Sequence, residues 1–324
     1  LHSETKDAAI IKDLTLAQIG TMVDGRPIYR SIDRSDADCA TPTAATCSGR
    51  SFNQDFVLTN TDGGSQTVAS ASLTQSYDWG LDWTLGYAYT QAEDVNPMTS
   101  SVAFSNYANV AVFDPNNPAV APSNYQIPHR ITLQLNYEQA FFGDYLTRFT
   151  LFGRANEGRP FGFAFTNDDG DVFGDGIDRR HLLYIPTGPS DPNVVFEPGF
   201  DQAAFFDFID EYGLGEFAGS SMPRNAVESG WWSKFDLRIE QELPGLMEGH
   251  RTSAFMVVEN VGNLLNDEWG ILNQPSFPLS QGVVDVDRNG AGQYVFEEFF
   301  QPAGESRVTG ASLWAIRVGL RYSF

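Results

Sequence analysis

The sequence predicts an all-β fold, an antiparallel transmembrane β-barrel with long extracellular loops. Apolar and polar residues alternate with a period of two along several segments, as in strands whose side chains point to opposite faces. The connections between these segments alternate between short and long. No stretch approaches the roughly 18 uninterrupted apolar residues of a transmembrane helix, whereas a barrel strand needs only about ten alternating residues.

Eight segments are predicted as strands from this alternation. The pattern is clearest in the last one, where every second residue from Trp314 to Phe324 is apolar or aromatic and the residues between them are small or charged. The predicted strands are 1–16, 66–77, 80–90, 131–138, 146–156, 235–242, 250–261 and 314–324.

The connections are sorted by length. Short turns lie at 77–80, around 142–144 and at 244–250, and long connections cover 17–65, 92–125, 167–230 and 262–312. With Phe324 at the periplasmic rim, every long connection falls outside the cell and every short one inside. A soluble β-sandwich needs turns every 8–12 residues and has no reason to sort its loops. The sorting therefore favours a membrane barrel over a soluble β-protein.

The two predicted faces of the strands differ. The apolar face has aromatic residues near the strand ends, as in the interfacial girdles of membrane barrels. The polar face is expected to line the lumen. Its charged members include Asp236, Arg238, Glu240, Arg317 and Arg321.

The charge and the motifs exclude several function classes. The chain has 324 residues with 42 Asp and Glu against 20 Lys and Arg, a net charge of −22. This acidity argues against nucleic-acid binding, which depends on Lys and Arg. No Gly-x-Ser-x-Gly, His-Glu-x-x-His or P-loop motif occurs, so we do not expect an enzyme. The four histidines are scattered, as surface histidines would be.

Several ordered motifs resemble one family. They are Gln126-Ile-Pro-His-Arg-Ile131, Leu-Phe-Gly-Arg at 151–154, Gly-Arg-Pro-Phe-Gly at 158–162, Leu-Tyr-Ile-Pro at 183–186, Phe-Asp-Leu-Arg at 235–238 and Val-Gly-Asn-Leu-Leu-Asn-Asp-Glu-Trp-Gly at 261–270. Together they resemble the C-terminal half of Oar-like TonB-dependent receptors of the bacterial cell outer membrane, over about residues 50–324.

This resemblance implies a 22-stranded barrel closed by an N-terminal plug, which the TonB–ExbB–ExbD motor pulls. Residues 1–324 are then expected to be the C-terminal portion of the barrel, in contact with outer-membrane lipid and lipopolysaccharide. An open sheet edge cannot face lipid. The remaining N-terminal strands and the plug must therefore come from the same polypeptide or from a separate cleaved chain. The charged lumen residues would form either a general polar wall or ion pairs with the plug.

The resemblance implies transport, namely energised uptake or surface binding of a scarce solute such as a peptide, a glycan or a chelate. Connection 167–230 is predicted to form a ligand vestibule, although its aromatic residues could instead pack against neighbouring loops. Those residues are Phe205, Phe206, Phe208, Tyr212, Trp231 and Trp232. The alternative function is a structural or adhesion anchor whose loops bind partner proteins. A passive channel is a third possibility.

One loop resembles the first half of a calcium site. Asp285, Asp287 and Asn289 place oxygens at positions 1, 3 and 5, and Gly290 follows at position 6. Phe296 stands where the final acidic ligand is expected. The alternative is a solvated turn, so calcium in an extracellular loop is one of two interpretations.

Cys39 and Cys47 are the two cysteines of the chain. Both lie in a connection that we predict to be extracellular, where an oxidising environment permits a disulfide. We expect a bridge that closes this short loop, with two free thiols as the alternative.

Overall fold

The computed structural model describes residues 1–32, 54–166 and 172–324. Most of its ordered backbone is antiparallel β-structure. Among these residues, no helix combines the length and the apolar character needed to cross a membrane.

The strands follow one another along the whole chain. In order they are β1 (His2–Glu4), β2 (Ala8–Asp13), β3 (Leu16–Thr21), β4 (Pro27–Ser31), β5 (Phe56–Thr61), β6 (Ser65–Ser76), β7 (Leu81–Asp94), β8 (Ala121–Pro122), β9 (His129–Phe142), β10 (Tyr145–Asn156), β11 (Pro160–Thr166), β12 (Tyr184–Ile185), β13 (Val194–Phe196), β14 (Ser220–Ser221), β15 (Val227–Glu228), β16 (Trp232–Pro244), β17 (Arg251–Glu259), β18 (Asn273–Gln274), β19 (Ser280–Arg288), β20 (Tyr294–Phe299), β21 (Ser306–Arg307) and β22 (Ala315–Ser323).

The helices are short and lie between the strands. They are α1 (Ala103–Ala108), α2 (Gln202–Glu211), α3 (Val261–Leu265), α4 (Thr309–Ser312) and a 3-10 helix at Leu214–Phe217. Helix α2 begins after Asp201, whose side chain accepts a hydrogen bond from the Ala204 amide. This N-cap satisfies one of the free amides of the first turn.

One large sheet, here called the wall sheet, contains seven of the predicted strands and the first three-residue part of the eighth, 1–16, whose remainder forms β2 and pairs with β5. Its strands are ordered β1, β6, β7, β9, β10, β16, β17 and β22, each antiparallel to the next. The β2–β5 pair continues the register of β1 and β6, because the Thr5 amide donates to the Gly64 carbonyl between the two pairs (2.9 Å). The prediction of an antiparallel all-β fold is confirmed. The sheet is open within the described residues, with β1 and β22 at its two edges.

The short turns lie at one end of the wall sheet, since connections in an antiparallel meander alternate between its ends. They join β6 to β7, β9 to β10 and β16 to β17. In the first turn Gly80 adopts φ +93°, and a Cβ there would lie 2.1 Å from the Glu138 carbonyl oxygen. Only glycine fits this position without displacing the backbone of β9.

The long connections leave the opposite end and fold into a second unit, here called the cap. Its main sheet is ordered β13, β20, β19, β11 and β15. Two of its pairings, β11 with β19 and β13 with β20, are parallel. These parallel pairings arise where strands from different connections meet, in segments that the sequence predicts only as long loops. All seven residues of β11 are buried.

The hydrophobic core of the described chain lies in the cap. Its aromatic members form tilted and edge-to-face contacts, for example between the rings of Phe163 and Phe208 at 4.7 Å. The largest buried apolar side chains in this cluster are Phe161, Phe163, Phe165, Phe173, Tyr184, Phe200, Phe205, Phe208, Tyr294 and Phe296. The cap is thus stabilised by its own burial of apolar area.

We predict that Phe163→Ala lowers the free energy of unfolding of the cap by about 3–5 kcal/mol, because the fully buried ring leaves a cavity. Phe142→Ala is the control, since Phe142 is 67% exposed at a turn of the wall sheet. Near-UV circular dichroism during denaturant unfolding measures the free energy of unfolding of both purified variants. Similar losses of stability in the two variants would contradict the placement of the core in the cap.

Candidate functional site

The wall sheet has one apolar face, and its side chains align across the strands. Starting from Val318, successive paired partners run across six strands and are all apolar. They are Val318, Met256, Ile239, Phe149, Tyr137 and Leu81. The neighbouring row on the opposite face is mostly polar, with Asp82, Asn136, Thr150 and Arg238 paired in sequence.

The middle of this apolar face is partly buried, whereas side chains on the strands near the sheet edges are exposed. Leu73 is 63% exposed, Val318 77% and Leu320 76%, although all three lie within regular strands. Leu85 and Ile316 also keep more than two-fifths of their surface. An apolar surface of this extent is unusual on a soluble monomer and indicates an apolar partner or solvent.

Aromatic side chains border the apolar face at both ends. At the turn end, Trp79 contacts the rings of Tyr77 at 5.6 Å and Tyr137 at 6.0 Å. At the cap end, His129 stacks on Trp231 at 6.3 Å and shares a hydrogen bond with the Tyr87 hydroxyl at 2.8 Å.

Aromatic residues also lie near both ends of β22. Eight residue steps separate Trp314, just before β22, from Tyr322, or about 26 Å along an extended strand.

The polar face carries ion pairs between neighbouring strands. Arg148 on β10 pairs with Glu138 on β9 and, at 2.9 Å, with Glu242 on β16. Arg317 on β22 pairs with Glu259 on β17 at 2.6 Å. These pairs involve five strands and satisfy charges within the wall itself.

The five residues predicted to line the lumen all lie on this face. Arg238 pairs with Glu240 at 2.5 Å, and Asp236 pairs with Lys234 at 3.4 Å. Arg321 stands opposite Ser253 on β17 and is exposed. Four of the five predicted residues thus have partners within the wall, as a general polar wall would require.

A fully buried arginine lies at the centre of the cap. The Nε atom of Arg26 donates to the Tyr294 hydroxyl at 2.9 Å. Its Nη2 atom donates to the Leu182 carbonyl at 2.5 Å and to Ser221 Oγ at 2.7 Å. The guanidinium also lies against four aromatic rings, those of Phe113, Phe165, Phe173 and Tyr294. These contacts offset part of the cost of burying the charge.

Asp24 balances this charge through shared hydroxyl groups. The Tyr294 hydroxyl donates to Asp24 Oδ2 at 2.8 Å, and Ser221 Oγ donates to the same atom at 3.4 Å. Burial raises the pKa of Tyr294. The charge of Arg26 acts in the opposite direction, and the charge of Asp24 adds to the increase. The phenol therefore stays protonated and can accept from Arg26 while donating to Asp24.

A second buried charge cluster joins two connections of the cap. Arg180 Nη1 and His181 Nε2 each lie 3.0 Å from an oxygen of Asp175, and all three side chains are at most 3% exposed. The Arg180 guanidinium lies 3.8 Å from the ring centroid of Tyr107. Burial lowers the pKa of His181, so its ring is neutral at pH 7. Burial opposes ionisation of Asp175, but His181 and Arg180 outweigh it and lower the pKa to about 2.

A cleft of about 570 Å³ opens between three connections of the cap. Its size is within the range of small-molecule sites. We call this space the cap cleft. Its lining consists of Val23, Asp24, Ala111, Val112, Phe113, Ala119, Val120, Ala121, Leu182, Asn193, Gly219, Ser220, Ser221, Met222, Pro223 and Arg224.

Two carboxyl groups meet where the cap joins the wall sheet. Glu157 follows β10, and Glu228 lies on β15 with Gln126 Nε2 at 3.4 Å. Partial burial, together with the charge of Glu157 and a hydrogen bond to it, raises the pKa of Glu228 to about 7. Glu228 therefore changes its protonation state near neutral pH.

The predicted vestibule residues lie mostly in the interior of the cap. Phe205 and Phe208 are buried on helix α2, and Phe206 and Tyr212 pack against the same core. For these four the structure follows the packing alternative, because an amphipathic helix turns its aromatic face inward.

The two predicted vestibule tryptophans have different surroundings. Trp232 is only 6% exposed. Its Nε1 donates to the Gly270 carbonyl, and Arg154 lies 4.5 Å above its ring. Trp231 is 55% exposed and belongs to the aromatic border at the cap end.

The residues of the predicted calcium loop lie on a hairpin. Asp285 and Asp287 are on β19, and Asn289 is in the turn to β20. Asn289 Oδ1 accepts hydrogen bonds from the amides of Ala291 and Gln293, which close this turn. In the part of the chain that the structure describes, no group of three or more His, Cys, Asp or Glu side chains could hold a metal ion. Calcium binding stays a prediction.

Cys39 and Cys47 lie outside the described residues, so the predicted disulfide has no structural counterpart here. No sequence motif marks Arg26, Asp24 or Glu228 as functional residues. Asp24-Gly25-Arg26 reads as an ordinary polar turn, and the burial of its arginine arises only when the connections meet.

The chain matches no protein-family model, no curated protein and no solved structure.

We predict that Glu228→Gln removes a pH-dependent loss of stability from the cap. The pKa of Glu228 is raised to about 7 in the folded protein from an ordinary value of 4.5. The contribution of Glu228 to the free energy of unfolding is therefore fully present below about pH 4.5, and it is lost as the pH rises through 7. The variant should equal the wild type at pH 5 and be more stable at pH 8, as measured by thermal unfolding.

Glu216→Gln is the matched control, since Glu216 is an exposed glutamate of the same connection. It should keep the pH profile of the wild type. A Glu228→Gln variant whose stability followed the wild-type profile up to pH 8 would show that the pKa of Glu228 is not raised in the folded protein.

Proposed function

We propose that the chain forms part of the wall and the extracellular cap of a receptor in the bacterial outer membrane. The observation that carries this proposal is the exposed apolar face of the wall sheet, bordered at both ends by aromatic rings. Lipid is the solvent that suits such a face. The cap would then lie outside the cell and the short turns in the periplasm.

The open edges of the wall sheet define what else the receptor needs. Strand β22 has one paired neighbour among the described residues, and its apolar side chains are exposed. Because unpaired backbone groups are costly in lipid, we propose that further strands close a barrel of about 22 strands around a plug. Those strands and the plug would belong to the same polypeptide or to a separate cleaved chain.

Within this proposal the receptor binds a scarce solute at the cap and imports it with energy from TonB–ExbB–ExbD. The motif resemblance supports uptake, and the polar face of the wall supports a hydrated lumen. An anchor that binds partner proteins is the second candidate. It is supported by the filled core of the cap, which presents a folded surface in place of an aromatic vestibule.

The upstream protein sequence distinguishes uptake from anchoring. Uptake requires a plug with a TonB box, either upstream of Leu1 or in a chain that copurifies with this one. A complete protein with neither feature would overturn the uptake proposal and leave the anchor.

We predict that arginine on the apolar face of the wall destabilises the assembled protein. Leu73→Arg and Val318→Arg should each cost about 2–4 kcal/mol, the cost of an arginine facing lipid near the bilayer midplane. The amount of heat-stable, protease-resistant protein in outer-membrane fractions measures the effect.

Ser72→Arg is the matched control for Leu73→Arg. Ser72 is adjacent, exposed and on the polar face, beside an open space of about 300 Å³ where Gly86 and Ser70 leave room. Gly319 is unsuitable as a control, because a Cβ there would lie 2.4 Å from the Phe255 ring. Equal assembly of Leu73→Arg and Ser72→Arg would contradict the lipid-facing assignment.

A further inference from the structure

The walls of the cap cleft are held in place by buried charges. Arg224 Nη2 donates to Asp94 Oδ1 at 2.6 Å, and its Nη1 donates to Asn124 Oδ1 at 3.2 Å. On the other side, Arg26 donates to Leu182 and Ser221, both of which line the cleft. The cleft is therefore preformed, which reduces the entropy cost of binding.

The lining of the cap cleft is mainly apolar and open to solvent. Val23 and Val120 line it and remain 43% and 44% exposed. Apolar side chains that are held apart around a space of this size can be covered by an apolar ligand.

Asp24 supplies a hydrogen-bond acceptor to the cap cleft. Its carboxylate accepts from the Arg26 amide at 3.1 Å, from the Tyr294 hydroxyl and from Ser221 Oγ. A carboxylate offers about four acceptor positions, so there is capacity for one more donor. Arg224 and the Nε and Nη2 atoms of Arg26 donate to protein groups, and the chain carries a net charge of −22. Arg26 Nη1 has no hydrogen-bond partner, but the side chain is fully buried and does not line the cleft. This charge distribution disfavours an anionic ligand.

We propose that the cap cleft binds a small, largely apolar molecule that carries no negative charge and donates an N–H or O–H hydrogen bond to Asp24. Its role as the capture site for an imported solute rests on the proposed function. The binding itself does not, because the residues that line the cleft come from the long connections and do not depend on the membrane assignment.

The test uses two soluble probes that differ in charge. N-acetylphenylalaninamide is neutral and offers amide donors, and N-acetylphenylalanine is an anion of nearly the same size. We expect the purified receptor in detergent to bind the amide at least tenfold more tightly than the acid, as measured by saturation-transfer NMR titration. Undetectable binding of the amide, or equal binding of the two probes, would overturn the proposal.

Two tryptophan substitutions locate the site. Ala119 is an exposed residue of the cleft lining, so Ala119→Trp should fill the space and abolish binding of the amide. Ala203→Trp adds the same ring on the exposed side of helix α2 and should leave binding unchanged. Undiminished binding by a folded Ala119→Trp protein would place the probe elsewhere.

Asp24→Asn tests the charge argument in the same titration. It keeps an acceptor oxygen but removes the negative charge, so the preference for the amide over the acid should fall at least fivefold. An unchanged preference would show that Asp24 does not select the ligand. Failure of these tests would leave the membrane assignment intact, because Leu73→Arg and Ser72→Arg test that assignment separately.

Discussion

An antiparallel sheet with one apolar face must place that face against something other than water. In most folded domains a second layer of the same chain covers it. In this protein the long connections form a separate cap with its own core, and Leu73, Val318 and Leu320 remain exposed on the wall sheet. The division into wall and cap depends on this constraint. The wall needs an apolar environment from outside the described chain, whereas the cap buries its own apolar area.

The cap reaches its stability by combining segments that are distant in the sequence. Strand β11 pairs with β19 in parallel across more than 100 residues, and Arg26 from the first connection contacts Leu182, Ser221 and Tyr294. Buried charges need such partners because an unpaired charge in an apolar core is costly. The same contacts hold the walls of the cap cleft apart, so one set of interactions supports both the stability of the cap and a space large enough for a ligand.

The wall sheet and the cap arrange their charged side chains differently. On the wall, Arg148, Arg238 and Arg317 pair with acids on the polar face, which suits a hydrated surface beside an apolar one. In the cap, the charges of the Asp175 cluster and of the Arg26 cluster are buried and nearly balanced, while the pKa of Glu228 at the junction is raised to about 7. Low pH therefore weakens the ion pairs of Asp175, because its carboxylate becomes protonated. Rising pH weakens the junction, because Glu228 becomes charged there.

The sequence by itself determined the wall sheet, because period-two alternation is a local property that needs no knowledge of contacts. It placed seven of the eight wall strands, the charged face with Asp236, Arg238 and Arg317, and the sorting of short and long connections, whereas the segment 1–16 is divided between β1 and β2. Only the tertiary structure decided what the long connections do. Aromatic residues such as Phe205 and Phe208 have the same local pattern whether they bind a ligand or pack in a core, and burial distinguishes the two. The positions of Asp24, Arg26 and the cap cleft depend on contacts between distant segments, and no local pattern encodes such contacts.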